Sequence, residues 1–316
     1  MSVATKECLS LCKTTNDHHL YVVAVVSNPA KFHRRYTLFN EFCDRMKLNK
    51  RVKLYTTELQ LGERPFATDS TFKVRSNHNL WHKENLINYT IARLPQHAKY
   101  ICTLDADVQF VNENWAEETI EALQIYSVIQ PFSHCIDMDY KQQVMETHKS
   151  FGFMYHTCKR KFYNTNDNIY SFFHTGFAAA FTRDTFNKLG GMITVGIAGS
   201  GDHHFWTALV GEVMQSVPGN IHENYKTICL NYQENCERHI KRNVGYIPGI
   251  ILHHFHGKKA NRQYKSRWEY LIRNNFDPLT DINLDSNGIM QFTGNKPELE
   301  YDLREYASSR NEDNLE

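Results

Sequence analysis

No stretch of this chain approaches the ~18 consecutive apolar residues that a helical membrane span needs. Its opening residues, Met1 to Glu7, also lack the apolar core of a secretory signal. A cytoplasmic protein without a membrane span is therefore expected. The eight cysteines, at positions 8, 12, 43, 102, 135, 158, 229 and 236, include no Cys-x-x-Cys pair. That argues against a zinc ribbon or a redox dithiol and for reduced thiols. Charge of one sign is missing too: 36 Lys and Arg stand against 35 Asp and Glu, so no global field recruits nucleic acid or a membrane surface. A Walker-type Gly-x-x-x-x-Gly-Lys loop and a dense acidic cluster are both absent. A metal-dependent phosphoryl-transfer enzyme is accordingly the weakest of the enzyme readings.

What is present is the make-up of a folded globular protein, with 41% hydrophobic and 22% charged residues in a chain of 316. Seventeen Tyr and 19 Phe can fill a deep core and offer ring faces for stacking. Apolar runs at Tyr21–Val26, Val52–Thr57, Tyr100–Leu104 and Ser127–Gln130 read as strands. Helical spacing separates them, over Arg34–Met46, from Leu80 to Leu94, and after Asn114. The alternation predicts an α/β fold with an open sheet flanked by helices, which binds ligands at the carboxyl ends of its strands. Further on, a strand over Gly176–Thr182, a short helix ending at Gly190-Gly191, a helix starting near Asp202 and a strand over Ile247–His256 are expected. Residues 1–18 read as a polar arm, 19–275 as one domain with halves at 19–135 and 136–275, and 276–316 as a polar tail.

Asp105-Ala106-Asp107 follows the Tyr100–Leu104 run directly. Carboxylates two apart on a strand end face one spot, where they repel unless a cation such as Mn²⁺ or Mg²⁺ sits between them. An isolated Asp-x-Asp is as well read as a solvated turn; the strand before it and the helix after it favour a metal. The run Gly249–Gly257 carries His253, His254 and His256, with His254 and His256 on one face by strand alternation. One of them can complete a metal site begun by Asp107, although satisfied core histidines, or zinc held by the histidines alone, are open alternatives. Asp202, at the end of Gly199-Ser200-Gly201, is either a general base presented by a loop or a plain helix N-cap. Positive charge gathers over Lys31–Arg35, Lys73–Lys83 and Lys258–Arg267; the first two can hold a diphosphate, and the third closes over phosphates or is a solvated basic helix.

In this order the pieces resemble the GT-A fold glycosyltransferases, over about residues 20–270. The likeness is to the β-1,4-galactosyltransferase type and to uncharacterised enzymes of large DNA viruses and phages. Asn28-Pro29-Ala30-Lys31-Phe32-His33-Arg34-Arg35 stands where that family's Pro-Phe-Arg-x-Arg segment meets the nucleotide. Trp81-His82-Lys83-Glu84-Asn85-Leu86-Ile87-Asn88 is similar to its Phe-Asn-Arg-Ala-Lys-Leu-Leu-Asn helix, and Asp105-Ala106-Asp107 to its Asp-Val-Asp metal motif. Gly199-Ser200-Gly201-Asp202 resembles its Gly-Gly-Glu-Asp, with Gly201 where the family has Glu. The viral and phage likeness rests on Leu80–Glu84 and on His256-Gly257 with Arg262, Tyr264 and Arg267.

The resemblance implies donor contacts from Asn28, Pro29, Arg34, Arg35, Trp81, Lys83 and Asp105. It implies a Mn²⁺ or Mg²⁺ site of Asp105, Asp107 and His256, with His254 as the second histidine, and Asp202 as base. It further implies transfer, with inversion, from a nucleoside diphosphate sugar (uridine by analogy) to a hydroxyl acceptor, a glycan or a hydroxymethylated nucleobase of DNA among them. The reading from another class is a non-catalytic nucleotide-sugar or nucleic-acid binding protein on the same scaffold.

Overall fold

The computed structural model describes residues 18–158 and 173–314, so the expected N-terminal arm lies outside the described residues but for His18. The strands are β1 (Leu20–Ser27), β2 (Val52–Leu61), β3 (Phe72–Ser76), β4 (Tyr100–Leu104), β5 (Val108–Phe110), β6 (Val128–Gln130) and β7 (His134–Met138). After them come β8 (Val144–Lys149), β9 (Ala178–Thr182), β10 (Val244–Tyr246), β11 (Ile250–His253), β12 (Ile282–Leu284) and β13 (Met290–Phe292). The main sheet has seven strands in the order β10-β6-β9-β4-β1-β2-β3. It is mixed: β1 runs parallel to β2 and β4, whereas β9 runs antiparallel to both β4 and β6. The expected open α/β sheet flanked by helices is what the chain forms.

Both faces of this sheet are covered, which is why its strands read as continuous apolar runs. Along β1, Tyr21 and Val23 join one core while Leu20, Val22 and Ala24 join the other. The same period of two sends Ile101 of β4 and Phe181 of β9 to the first core, and Cys102 and Ala180 to the second. The helix His33–Leu48 buries Leu38, Phe39, Phe42 and Met46 on one stripe. The helix Arg183–Leu189 begins and ends as its sequence requires. Thr182 caps it by accepting from the Thr185 N–H, and Gly190 closes it at φ 78°.

A second sheet, ordered β5-β11-β7-β8, was not apparent in the sequence. Its strands are short, and β8 is almost wholly exposed, so they carry little apolar alternation. The helix Glu223–His239 was equally silent, because only Tyr225, Cys229 and Cys236 of its 17 residues are buried.

Residue 135 does not divide the sheet, since β9 lies between β4 and β6 and both cores draw on either side of that boundary. Nor is the segment beyond 275 a loose polar tail. It forms the β12–β13 hairpin and the helix Pro297–Ser309, whose Leu299, Leu303 and Tyr306 enter the larger core. Those three positions recur at i, i+4 and i+7, one helical stripe in an otherwise charged segment.

Candidate active site

Strand β4 ends at Leu104, and Asp105-Ala106-Asp107 is the turn that carries the chain from the main sheet into β5 of the second. The two carboxylates therefore do not share a strand face, and they part. Asp105 Oδ1 lies 2.5 Å from Lys83 Nζ. Asp107 Oδ2 lies 2.9 Å from His256 Nε2 and 3.7 Å from His253 Nε2. The histidine run sits beside the triplet because β11 pairs antiparallel with β5, and the His254 N–H donates to the Asp107 carbonyl at 2.8 Å.

His256 stands in this cluster, and its companion is His253 in place of the expected His254. Strand β11 stops at His253, so alternation does not extend to His256, and the turn that follows brings residues three apart together. His253 Nε2 and His256 Nε2 are 3.3 Å apart, while buried His254 is turned away from the cluster.

Three ligand atoms, from Asp107, His253 and His256, thus lie within 4.8 Å of one another. Asp107 Oδ1 is buried with no hydrogen-bond partner, a costly arrangement that a cation relieves. One carboxylate and two imidazoles form a donor set suited to a divalent transition metal. Asp105 is not among these three. Burial alone would raise the Asp107 carboxyl, but His253 and His256 hold it well below its usual range. His253 lies above its ordinary value: burial lowers it, and Asp107 and Asp137 more than reverse that.

Two cavities meet at this cluster, sharing Trp81, Lys83, Asp105, Asp107, His256 and Arg310 in their walls. The first runs over the carboxyl ends of β1 and β4. Its lining is mostly apolar, with Phe32, Leu38, Phe39 and Leu80, and Leu303 and Tyr306 from the C-terminal helix. Pro29 and Arg35 line it, whereas Asn28 and Arg34 line neither cavity. Asn28 instead locks its own loop, accepting from the Phe32 N–H at 2.9 Å and donating to the Phe32 carbonyl at 2.7 Å. Arg34 Nε donates to the Phe255 carbonyl at 3.0 Å, and Arg35 is gripped by the Glu312 carboxylate. The Arg310 guanidinium lies 5.1 Å over the Trp81 ring.

No protein-family model matches the chain, and no curated protein matches it. Among solved structures it is similar to a variant of Drosophila β1,4-galactosyltransferase 7 complexed with manganese, UDP-Gal and xylobiose. There the identity is 13% and the TM-score 0.36, over 63% of this chain and 62% of that one. It is also similar to 4-diphosphocytidyl-2C-methyl-D-erythritol synthase from Anaerococcus prevotii, at 9% identity and TM-score 0.35, over 74% and 88% of the two chains. A third is mannose-1-phosphate geranyltransferase from Thermus thermophilus, at 10% identity and TM-score 0.32, over 74% and 75%. The match thus spans about three fifths of the galactosyltransferase chain. Likeness at this level says nothing of substrate or reaction.

The second cavity is lined by many charged and polar residues, and Asp202 faces it from the first turn of the helix Gly201–Leu209, whose N-cap is Ser200 and not Asp202. Burial raises the Asp202 carboxyl, but Lys83, His174, His203 and Arg267 outweigh it and hold the group below its ordinary value. Beside it lies Glu84, 3% exposed, pushed up to about 7 by burial, against the pull of Lys83 and with the push of Asp202. A Cβ at position 201 would overlap the Glu84 carboxyl group, so Gly201 lets that side chain lie against the helix start. A buried carboxylate from a different helix thus lies beside the Gly-Ser-Gly-Asp loop. Burial also drives His174 down to about 3 and His203 to about 4, so both are neutral at physiological pH.

The basic run after the histidines turns inward. Lys259 pairs with Asp137 and Glu146, Arg262 Nη2 donates to His256 Nε2 at 2.8 Å, and Arg267 Nη2 donates to Ser200 Oγ at 2.6 Å. Only Lys258 and Lys265 of its five cations are left exposed, too few for a nucleic-acid surface. Glu84 sits inside the quoted Trp81–Asn88 segment without being singled out there, whereas Asp137, Arg310 and Glu312 had no motif to mark them and reach the site from elements remote in sequence.

Proposed function

We propose that the chain is a metal-dependent glycosyltransferase of the GT-A type. It moves a sugar from a nucleoside diphosphate, uridine diphosphate foremost, to a hydroxyl acceptor. The observation that carries this reading is the convergence of Asp107, His253 and His256 where a mostly apolar cavity meets one lined by many charged and polar side chains. That is the arrangement a donor with a base at one end, a sugar at the other and a diphosphate between them requires.

Asp107, His253 and His256 would hold a divalent cation, and two imidazoles beside one carboxylate suit Mn²⁺ better than Mg²⁺. Such an ion supplies Lewis-acid neutralisation of the charge that gathers on a departing diphosphate. Trp81 and its apolar neighbours take the base. Arg310 at the junction and Arg262 in the second cavity are charge-assisted donors to phosphate oxygens. Asp202 accepts the proton of the acceptor hydroxyl as that oxygen bonds to the anomeric carbon. The electron pair of the breaking C–O bond leaves with the diphosphate, so the anomeric centre inverts. Glu84 is the second candidate for the base, because its raised value matches neutral pH.

The test is a thermal-shift screen of nucleotide sugars with and without Mn²⁺. A true donor at a hundred times its Kd stabilises the fold by about 2.7 kcal/mol. A melting temperature unmoved by every nucleotide sugar in the presence of Mn²⁺ sinks the reading.

A further inference from the structure

Two buried carboxylates outside the proposed ligand set face the far side of its histidines. Asp137, 3% exposed, is the register partner of His253 across the β7–β11 pairing, and its Oδ1 lies 2.8 Å from His253 Nδ1. Glu312, 1% exposed, comes from the turn after the C-terminal helix, and its Oε2 lies 3.5 Å from His256 Nδ1. Neither can swing away. Asp137 Oδ2 is held by Lys259 and, at 3.0 Å, by His148 Nε2. Glu312 is held by both arms of Arg35 and, at 2.8 Å, by Arg310 Nε. The turn that brings Glu312 in depends on Gly257 at φ +82°, where a Cβ would stand 2.9 Å from the Glu312 Cα.

Arg262 Nη2 can only donate and lies 2.8 Å from His256 Nε2, which favours a lone pair there. Asp107 Oδ2, 2.9 Å away, competes for a proton on the same atom; a cation beside Asp107 would remove that competition. In the neutral ring the proton then sits on Nδ1, toward Glu312. Asp137 imposes the same choice on His253, since a carboxylate in that position accepts from Nδ1–H. Both Nε2 atoms lie beside Asp107, 3.7 Å and 2.9 Å from its Oδ2 for His253 and His256.

We propose that Asp137 and Glu312 are positioning residues that lock His253 and His256 in the Nδ1–H tautomer and hold their Nε2 atoms ready for a divalent cation. This rests on the metal reading of Asp107, His253 and His256. It also makes the turn after the helix Pro297–Ser309, remote from every motif, part of the metal site. An amide at either position breaks the arrangement. In Asp137→Asn the oxygen goes to Lys259 and the NH₂ faces His253 Nδ1, which favours the opposite tautomer. In Glu312→Gln one of the two oxygens that Arg35 engages is lost.

The experiment titrates Mn²⁺ into the full chain by calorimetry and reads the histidine tautomers of the metal-free protein by ¹⁵N NMR. Wild type, D107N, D137N and E312Q are compared, with circular dichroism to establish that each is folded. The expected result is Mn²⁺ binding by wild type, none by D107N, and binding about 10- to 100-fold weaker in D137N and E312Q. Their ¹⁵N shifts should move from Nδ1–H toward Nε2–H for the affected ring. A folded variant with wild-type Mn²⁺ affinity and an unmoved tautomer overturns the assignment of that carboxylate and leaves the metal site standing. Failure of wild type to bind Mn²⁺ overturns the metal site and this proposal together. If either variant does not fold, the wild-type spectrum decides, since an Nε2–H tautomer at His253 or His256 is incompatible with the proposal.

Discussion

Asp202 and Glu84 lie side by side yet are driven in opposite directions, one by the cations around it and the other by burial. That split separates their predicted behaviour. Asp202→Asn should lower turnover by about 10²- to 10⁴-fold while leaving Mn²⁺ affinity near wild type. Near-normal turnover, or retained configuration in the product by NMR of the anomeric proton, would remove Asp202 from the mechanism. For Glu84 the consequence is one of stability. Its folded carboxyl stands at about 7 against an ordinary 4.5, so between those pH values the folded state keeps a proton that the unfolded chain has shed. Stability from this group therefore falls as pH rises through that window, and the full cost, on the order of 3 kcal/mol, is present above it. Glu84→Gln should unfold at higher denaturant than wild type at pH 8, with the gap closing by about pH 4.5. A gap that widens on acidification would contradict the assignment.

At the scale of elements, the helix Pro297–Ser309 does two jobs. Leu299 and Leu303 anchor it in the larger core, and Leu303, Tyr306 and Arg310 look into the first cavity. Leu299 is fully buried and lines neither cavity, so Leu299→Ala isolates the first job. Chemical denaturation should read a loss of about 2–5 kcal/mol. Mn²⁺ affinity of the folded variant should be unchanged. The same element shows why its role was hidden: three apolar positions among acidic and basic ones read as a solvated segment until the core is there to receive them. The histidine run failed differently. Its strand was legible, but where β11 ends depends on its partners β5 and β7, and a shift of that end decides which two histidines meet.

Over the whole molecule, the sheet order threads the two sequence halves through each other. β9 sits between β4 and β6, and both cores take residues from either side of position 135. Such interleaving leaves no surface along which one half can melt first. Urea unfolding should therefore follow a single transition, coincident by tryptophan fluorescence and far-ultraviolet circular dichroism. Two separated transitions would mean that the halves are independent units. The near balance of charge acts at this scale too, leaving recognition to the cluster of cations within the two cavities.

The sequence by itself determined the buried strands β1 and β4, the capped helix Arg183–Leu189, and Asp107 and Asp202 as candidates, while His256 was singled out from its run by the family resemblance. The former follow from local pattern: apolar runs, a Thr cap, a Gly stop, acids at a strand end. Tertiary structure decided which carboxylate meets the histidines, that His253 and not His254 is the second ring, and that Asp137 and Glu312 stand behind them. The physical reason is distance along the chain. His253 and Asp137 are 116 residues apart and meet only through the register of two strands in a sheet that no periodicity announced. Local spacing marks a residue's chemistry. The partner that gives that chemistry a direction is supplied by packing.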